Sequence, residues 1–223
     1  MIQDKPKVRA ALFDMDRTLV RKETASLYVR YQRDIGLATT MDLVKALYWV
    51  GKYTLGILDA DKLADSVLHT MRGVAESDFI VQCEAWFAKY VEQHIADKGR
   101  QAVAHHRARG DVCAIVTGAT RYAAGPLAKR LDIEHVVATQ LEIDATGLFT
   151  GHAVKPLCLG EGKLHYAKAF AERLGFALEE ATFYTDSISD LPLLECVAEP
   201  IVVNPDPRLL RVAKRRGWRI ERW

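Results

Sequence analysis

Apolar and polar positions along the chain change rhythm twice. Residues 8–13 form a short apolar run interrupted by Arg9 alone and followed at once by Asp14, which predicts a strand ending where the first carboxylates begin. From about Thr24 to Val91 the spacing becomes helical. Leu27, Tyr28, Tyr31 and Ile35 make one face, stopped by Gly36. Three more helices are expected: one capped by Thr40 and carrying Leu43, Leu47 and Val50, one capped by Asp59 and carrying Leu63, Val67 and Met71, and one capped by Ser77 and carrying Phe79, Cys83, Trp86, Phe87 and Tyr90. After Gly110 strands and helices alternate. The continuous apolar run 112–116 suits the middle of a parallel sheet, and further strands are expected at 136–138, 182–184 and 201–203. Helices are expected at 122–131, kinked or delayed by Gly125-Pro126, and at 163–174, ended by Gly175. Residues 141–143 and 148–150, joined through Asp144-Ala145-Thr146-Gly147, read as a β-hairpin projecting from the sheet.

This order predicts an α/β fold, a Rossmann-like doubly wound parallel sheet built from residues 1–20 and 100–223, with an all-helical cap of residues 21–99 inserted after the first strand. Open parallel sheets bind ligands outside the carboxyl ends of their strands, so the residues just after each strand are the ones to examine.

Composition narrows the class. The 223 residues are 49% hydrophobic and 27% charged, which excludes collagenous and wholly disordered chains. A net charge of +2 supplies no global field for nucleic acid or an anionic membrane. Cys83, Cys113, Cys158 and Cys196 form no CxxC pair, which argues against a zinc ribbon or a disulfide frame and for a reduced, cytoplasmic chain. The first ten residues contain no apolar signal core. The stretch 43–58 is too short to span a bilayer and carries Lys45 and Lys52, so it reads as a buried helix, with interfacial membrane binding as the lesser alternative.

Two acidic clusters carry the chemistry. In Asp14-Met15-Asp16-Arg17-Thr18-Leu19 two carboxylates stand two residues apart after a strand, where they repel unless a cation or a proton intervenes. Tyr184-Thr185-Asp186-Ser187-Ile188-Ser189-Asp190 places two more after a later strand, a hard oxygen set that suits Mg²⁺ over zinc. Between them, Thr117-Gly118 ends the central strand with a hydroxyl and a close-approaching backbone, and Lys163 brings a cation to the head of a helix. Singly, each has an ordinary reading as a helix cap or a surface charge.

Taken in order, these four motifs make the chain resemble the haloacid dehalogenase superfamily in its phosphoserine-phosphatase-like branch (subfamily IB), and the likeness extends over nearly the whole chain, cap included. The resemblance implies phosphomonoester hydrolysis through an aspartyl phosphate. Asp14 would be the nucleophile and Asp16 the acid and then the base; Mg²⁺ would be held by Asp14, the main-chain carbonyl of Asp16, Asp186 and Asp190; Thr117, Gly118 and Lys163 would bind the phosphoryl oxygens. Haloacid dehalogenases and P-type ATPases lack an aspartate at the position of Asp16, so phosphatase or phosphomutase chemistry is favoured.

For specificity, the resemblance aligns Glu23 with a glutamate that meets a substrate amino group and Arg72 with a cap arginine that binds a carboxylate. The glutamate implies a small amine-bearing metabolite such as phosphoserine or histidinol phosphate. Two departures sit beside the phosphate: Arg17 replaces a small polar residue, and Thr117-Gly118-Ala119 replaces Ser-Gly-Gly. Tyr48, Trp49 and Tyr53 are candidates to enclose a ring or simply core. Two other functions compete. One is a phosphotransferase or phosphomutase passing the same phosphoryl group to another hydroxyl. The other is a polyanion-binding protein using Arg208, Arg211, Lys214, Arg215, Arg216, Arg219 and Arg222, opposed by Glu221 alone; the same run reads more simply as the solvated face of a final helix. The expectation is a monomer or homodimer acting on a small phosphomonoester, with no nucleic acid and no membrane.

Overall fold

A computed structural model describes residues 8–37, 39, 41 and 67–223. In chain order the strands are β1 (Ala10–Phe13), β2 (Val112–Thr120), β3 (His135–Thr139), β4 (Leu141–Ile143), β5 (Phe149–Ala153), β6 (Thr182–Thr185), β7 (Glu199–Val203) and β8 (Arg219–Glu221). Six of them form one parallel sheet in the order β3-β2-β1-β6-β7-β8, and β4 and β5 pair as a separate antiparallel hairpin. From β1 the chain runs outward to β2 and β3, then returns to β6 on the other side. The crevice between β1 and β6 is therefore the topological switch point of the sheet, where open α/β folds place their ligands.

Strand β1 shows why this sheet forms. Its four residues are fully or almost fully buried, with Ala11 and Phe13 entering one core cluster and Ala10 and Leu12 the other, the period-two split of a strand covered on both faces. The helices are α1 (Thr24–Asp34), α2 (Glu76–Trp86), α3 (Asp97–Ala108), α4 (Arg121–Arg130), α5 (Glu161–Leu174), α6 (Leu191–Leu194) and α7 (Pro207–Arg216). Helices α3 and α4 cover the Phe13 side with Val103 and Leu127, while α5 and α7 cover the Leu12 side with Ala167, Phe170 and Leu209.

The strands expected from the apolar runs all form. The chain's end differs: instead of one long helix, α7 is started by Asp206, whose side chain accepts the N–H groups of Arg208 and Leu209, and is stopped by Gly217 at φ 69°. Trp218 and Ile220 then pack against the core and Arg219–Glu221 adds the edge strand β8. Pro126 neither delays nor divides α4, which starts at Arg121 with Thr120 as its N-cap; the proline gives up only one backbone donor, inside a buried turn. Ser77 does not cap α2 but lies in its first turn, beside Glu76 and Asp78.

A short backbone bridge joins the two ends of the cap beside the core. Val20 and Ile95 form an isolated antiparallel bridge, flanked by hydrogen bonds from the Arg21 N–H to the His94 carbonyl at 2.8 Å and from the Ala96 N–H to the Leu19 carbonyl at 2.8 Å. Helix α3 begins at Asp97 and already packs on the core through Val103, so the chain has rejoined the sheet a few residues before residue 100. Of the four expected cap helices, α1 and α2 form; the caps at Thr40 and Asp59, the positions from Leu43 to Leu63, and Tyr48, Trp49 and Tyr53 lie outside the described residues. Among the described residues no helix is long and apolar enough to cross a membrane, and 43–58 is not among them.

The β4–β5 hairpin is strapped to the cap. The Gly73 N–H donates to the Phe149 carbonyl at 2.9 Å, the Phe149 N–H to Val74 at 2.9 Å and the Glu76 N–H to Gly147 at 3.0 Å. Phe79, Tyr122 and Phe149 meet edge to face at 5.4 to 5.5 Å between centroids, sealing a third cluster between hairpin, cap and α4.

Glycine at 162 is a packing requirement. A Cβ there would lie 1.9 Å from the carbonyl oxygen of Leu157. Ala for Gly in a helix ordinarily stabilises by up to about 1 kcal/mol. Gly162→Ala is expected to reverse that sign and destabilise by about 2 kcal/mol through overpacking, read as a lower urea midpoint with unchanged slope.

Candidate active site

Parallel register sets the site. Phe13 lies opposite Ile115 on one side and Tyr184 on the other, so the next residues of β1, β2 and β6 bring Asp14, Thr117 and Asp186 to the same edge of the sheet. The Asp14 N–H continues the ladder to the Tyr184 carbonyl at 2.8 Å. Lys163, in the first turn of α5, reaches the same point from the far face. Its Nζ lies 2.8 Å from Asp14 Oδ1 and 2.7 Å from Asp190 Oδ2, and it is only 2% exposed. The Thr185 hydroxyl donates to the same Asp190 oxygen at 2.6 Å, while Asp190 Oδ1 is buried with no partner among the described residues.

Asp16 is half-buried, and its Oδ1 accepts the Thr24 N–H at 2.6 Å, which ties the second acid to the first turn of the cap helix α1. Arg17 adopts φ 54°, a left-handed conformation costly for a residue with a Cβ, and aims its Nε at Asp186 Oδ2, 3.3 Å away. Its Nη1 lies 3.9 Å from Glu23 Oε1. Asn204 holds this loop: its side-chain N–H donates to the Arg17 carbonyl at 3.1 Å, and its Oδ1 accepts the Trp223 N–H at 3.0 Å. Asp206 accepts the Ile188 N–H at 2.6 Å and donates its own N–H to the Asp186 carbonyl at 2.9 Å, fixing the second acidic loop.

Thr117 and Gly118 lie at the end of β2 in the same cavity. Thr117 is buried and its Oγ1 accepts the Ala119 N–H at 3.2 Å, which leaves the hydroxyl proton free to be donated. The Gly118 carbonyl is turned away into a 2.9 Å hydrogen bond from the Thr139 hydroxyl, and a Cβ at Gly118 would lie 2.1 Å from Leu159 Cδ2, so a larger residue here would have to displace the Leu159 side chain.

Crowded anions dominate the electrostatics. Burial pushes Asp14 up to about 7 against the opposing pull of Lys163, and burial with the neighbouring Glu23 pushes Asp16 up to about 7. Asp186 is raised well above the carboxylate range by burial and by Asp14, and Glu23 is raised chiefly by burial. Burial opposes the charge on Lys163, but Asp14 and Asp190 outweigh it and hold its pKa above the ordinary lysine value. Among the described residues of the site, six carboxylates, those of Asp14, Asp16, Glu23, Asp186, Asp190 and Asp206, face three cations, Lys163, Arg17 and Arg208. The unpartnered Asp190 Oδ1 and the all-oxygen donor set fit a hard divalent cation, although no three acidic, His or Cys side chains are already closed to ligating distance among the described residues.

One cavity of about 780 Å³ between core and cap collects these groups. Asp14, Asp16, Thr117, Gly118, Lys163, Asp186, Asp190 and Glu23 all line it. Arg72 does not: it is exposed, with its Cβ against Gly151 of the hairpin, because the turn at Gly73 directs it outward over β5. Inspection of the sequence alone missed Thr185, Thr24, Asn204 and Asp206 as supports of the acids. Only Asp206, followed by proline at the first helical position, carried a readable signal, that of a helix start.

Comparison with known proteins agrees with this geometry. The sequence profile of the haloacid dehalogenase-like hydrolases matches residues 11–195. A histidinol-phosphatase of Neisseria meningitidis is 28% identical over 93% of this chain and 96% of its own length. Phosphoserine phosphatase SerB1 of Mycobacterium tuberculosis is 30% identical over 95% of this chain and 70% of its own. Among solved structures, a protein of unknown function from Bordetella pertussis superposes with a TM-score of 0.86 at 28% identity, covering 96% of this chain and 98% of that one.

The raised carboxylates set a pH dependence. Native Asp14 and Asp16 retain protons up to about pH 7 that the unfolded chain releases near pH 4, so the native state binds more protons in that window and stability falls as pH rises through it. The metal-free protein is expected to melt about 5 °C or more lower at pH 8 than at pH 5.5, and Mg²⁺ to restore most of the difference at pH 8 and little at pH 5.5. Differential scanning calorimetry with EDTA and with MgCl₂ checks this; equal Mg²⁺ shifts at both pH values would contradict it.

Proposed function

Because the chain belongs to the haloacid dehalogenase-like hydrolases, we propose that it is a Mg²⁺-dependent phosphomonoesterase that hydrolyses a small phosphorylated metabolite through an aspartyl phosphate on Asp14. One observation carries the reading. A buried nucleophile-capable carboxylate, Asp14, shares a cavity with a second acid raised to about 7 and with a hydroxyl, a glycine N–H and a buried ammonium suited to phosphoryl oxygens.

The chemistry follows from the residues. Asp14 presents the carboxylate oxygen that Lys163 does not hold, and it attacks phosphorus in line as the ester P–O bond breaks. Asp16, protonated for a substantial fraction of the time near neutral pH, delivers its proton to the departing alkoxide. The same carboxylate, now ionised, takes a proton from the water that attacks the aspartyl phosphate, releasing phosphate and restoring Asp14. Thr117, the Gly118 N–H and Lys163 hold the phosphoryl oxygens as charge moves onto them. Mg²⁺, held by Asp14, the Asp16 carbonyl, Asp186 and Asp190, supplies when bound the positive charge that offsets repulsion between nucleophile and phosphate.

Glu23, on the cavity wall nine residues after Asp14, is the group we assign to an ammonium on the substrate, which favours amine-bearing esters of the kind named for the relatives, histidinol phosphate and phosphoserine. The four cysteines are free thiols, three of them buried, which supports residence in a reducing compartment such as the cytoplasm.

Asp14→Asn is expected to lower phosphate release by about 10⁴-fold or more, since the nucleophilic carboxylate is lost while the side chain keeps its size and shape. Asp16→Asn should lower kcat by about 10²- to 10⁴-fold. Glu23→Ala should raise KM for amine-bearing esters more than for amine-free ones. Phosphate release from purified, Mg²⁺-loaded protein measures all three; a fully active Asp14→Asn would refute the mechanism.

A further inference from the structure

The reacting groups occupy one end of the cavity. Asp14, Asp16, Asp186, Asp190, Lys163 and Arg17 are gathered at the sheet edge. Past Glu23 and Thr24 the cap wall is made by Tyr28, Leu68, Met71, Phe79 and Trp86, and none of its described residues carries a charge. Opposite it, Leu141, Leu157 and Leu159 continue the apolar surface on the core side. The wall is also firm: Tyr28 meets Trp86 edge to face at 5.5 Å and Phe79 at 6.2 Å, and Phe79 is buttressed by Phe149. Arg72, the cap cation that the resemblance aligned with a substrate carboxylate, is outside.

This distribution has an energetic consequence. A phosphate with a two- or three-carbon polar alcohol would fill only the charged end of the roughly 780 Å³ space, leaving the apolar part to water. A carboxylate pushed against the cap wall would lose its hydration away from Lys163, Arg17 and Arg208, the described cations of the cavity, which all belong to the core side, a costly transfer, whereas apolar surface placed there is stabilised in proportion to the area buried. Glu23, already 3.9 Å from Arg17, stands at the border between the two regions. Among the described residues, a cation on the substrate is therefore met close to the ester.

On the phosphatase reading above, we propose that the substrate is a phosphomonoester whose alcohol part carries a bulky aromatic or branched apolar body and no carboxylate, with the phosphate at the acidic end and the body in the Tyr28–Leu68–Phe79 chamber. Recognition is split: the ionic end fixes the phosphate and any adjacent ammonium, and the chamber selects by shape and dryness. Phosphoserine, which presents a carboxylate where the chamber begins, is then a poor substrate.

The test is a series of esters assayed with the Mg²⁺-loaded full chain: phosphoethanolamine, O-phosphoserine, histidinol phosphate and phenylalaninol phosphate, with Asp14→Asn as blank. The expected result is a kcat/KM for the two ring-bearing esters at least about tenfold above that for phosphoethanolamine and phosphoserine, the scale a buried apolar group confers. Met71→Asp, which places a charge in the half-buried chamber wall, should shrink that ratio. Phosphoserine hydrolysed as well as, or better than, phenylalaninol phosphate would overturn the chamber proposal and leave the phosphatase standing. Release from none of the four above the blank would overturn the phosphatase reading and the proposal with it.

Discussion

A single ammonium group, that of Lys163, organises this protein. It is almost wholly buried, and the carboxylates of Asp14 and Asp190, each within 2.8 Å, make its charge tolerable there. Removing one partner from a buried ion pair costs about 3 to 5 kcal/mol, because the remaining charge is left unpaired. The contact also joins three segments that lie far apart in sequence: the end of β1, the head of α5 and the turn after β6. For the lysine to reach them, α5 must lie close against the segment before it, which is why residue 162 has no room for a side chain. The same contact leaves Asp190 with one oxygen unpartnered and Asp14 with one oxygen facing the cavity, so structural pairing and reactive availability are divided within each carboxylate.

Around that core of charge the acidic loops are held by groups that never meet a substrate. Asn204, itself at φ 44°, bridges the Arg17 carbonyl to the backbone of the final residue, so the strained turn that carries Asp16 is braced by the end of the chain. Trp223 in turn packs at 5.4 Å from Tyr184, whose ring stacks on Phe13 at 4.7 Å and whose hydroxyl meets the buried His106–Asp111 pair. The residues preceding both acidic loops are thus fixed by one continuous network beneath the sheet. Such overdetermination is what a positive-φ arginine in the site requires to persist.

Cap and hairpin supply the opposite kind of surface. They meet through backbone hydrogen bonds and an aromatic cluster, and the described wall past Glu23 and Thr24 is apolar where the sheet edge is ionic. The division suits a two-part substrate, because a phosphoryl group is bound by charge and hydrogen bonds while the leaving group is bound by exclusion of water.

The α/β order and the position of the acids at strand ends were legible in the sequence, because an apolar run ends a strand and a charge placed immediately after it must sit at the sheet's edge. That Asp14, Asp16, Thr117, Gly118, Lys163, Asp186 and Asp190 are candidates for one site was legible from the order of their motifs, and the fold gathers them around one cavity. Helix ends were less legible, as Ser77 and the final helix show, since a cap depends on which residue adopts the turn and not on composition alone. Tertiary structure alone decided that Arg17 lies on Asp186, that Arg72 faces away over the hairpin, that Asn204 and the last residue brace the first acidic loop, and that the cap wall is apolar. Those facts join residues from opposite ends of the chain, whose distance and direction are set by the register of the strands between them, and no short stretch of sequence contains that register.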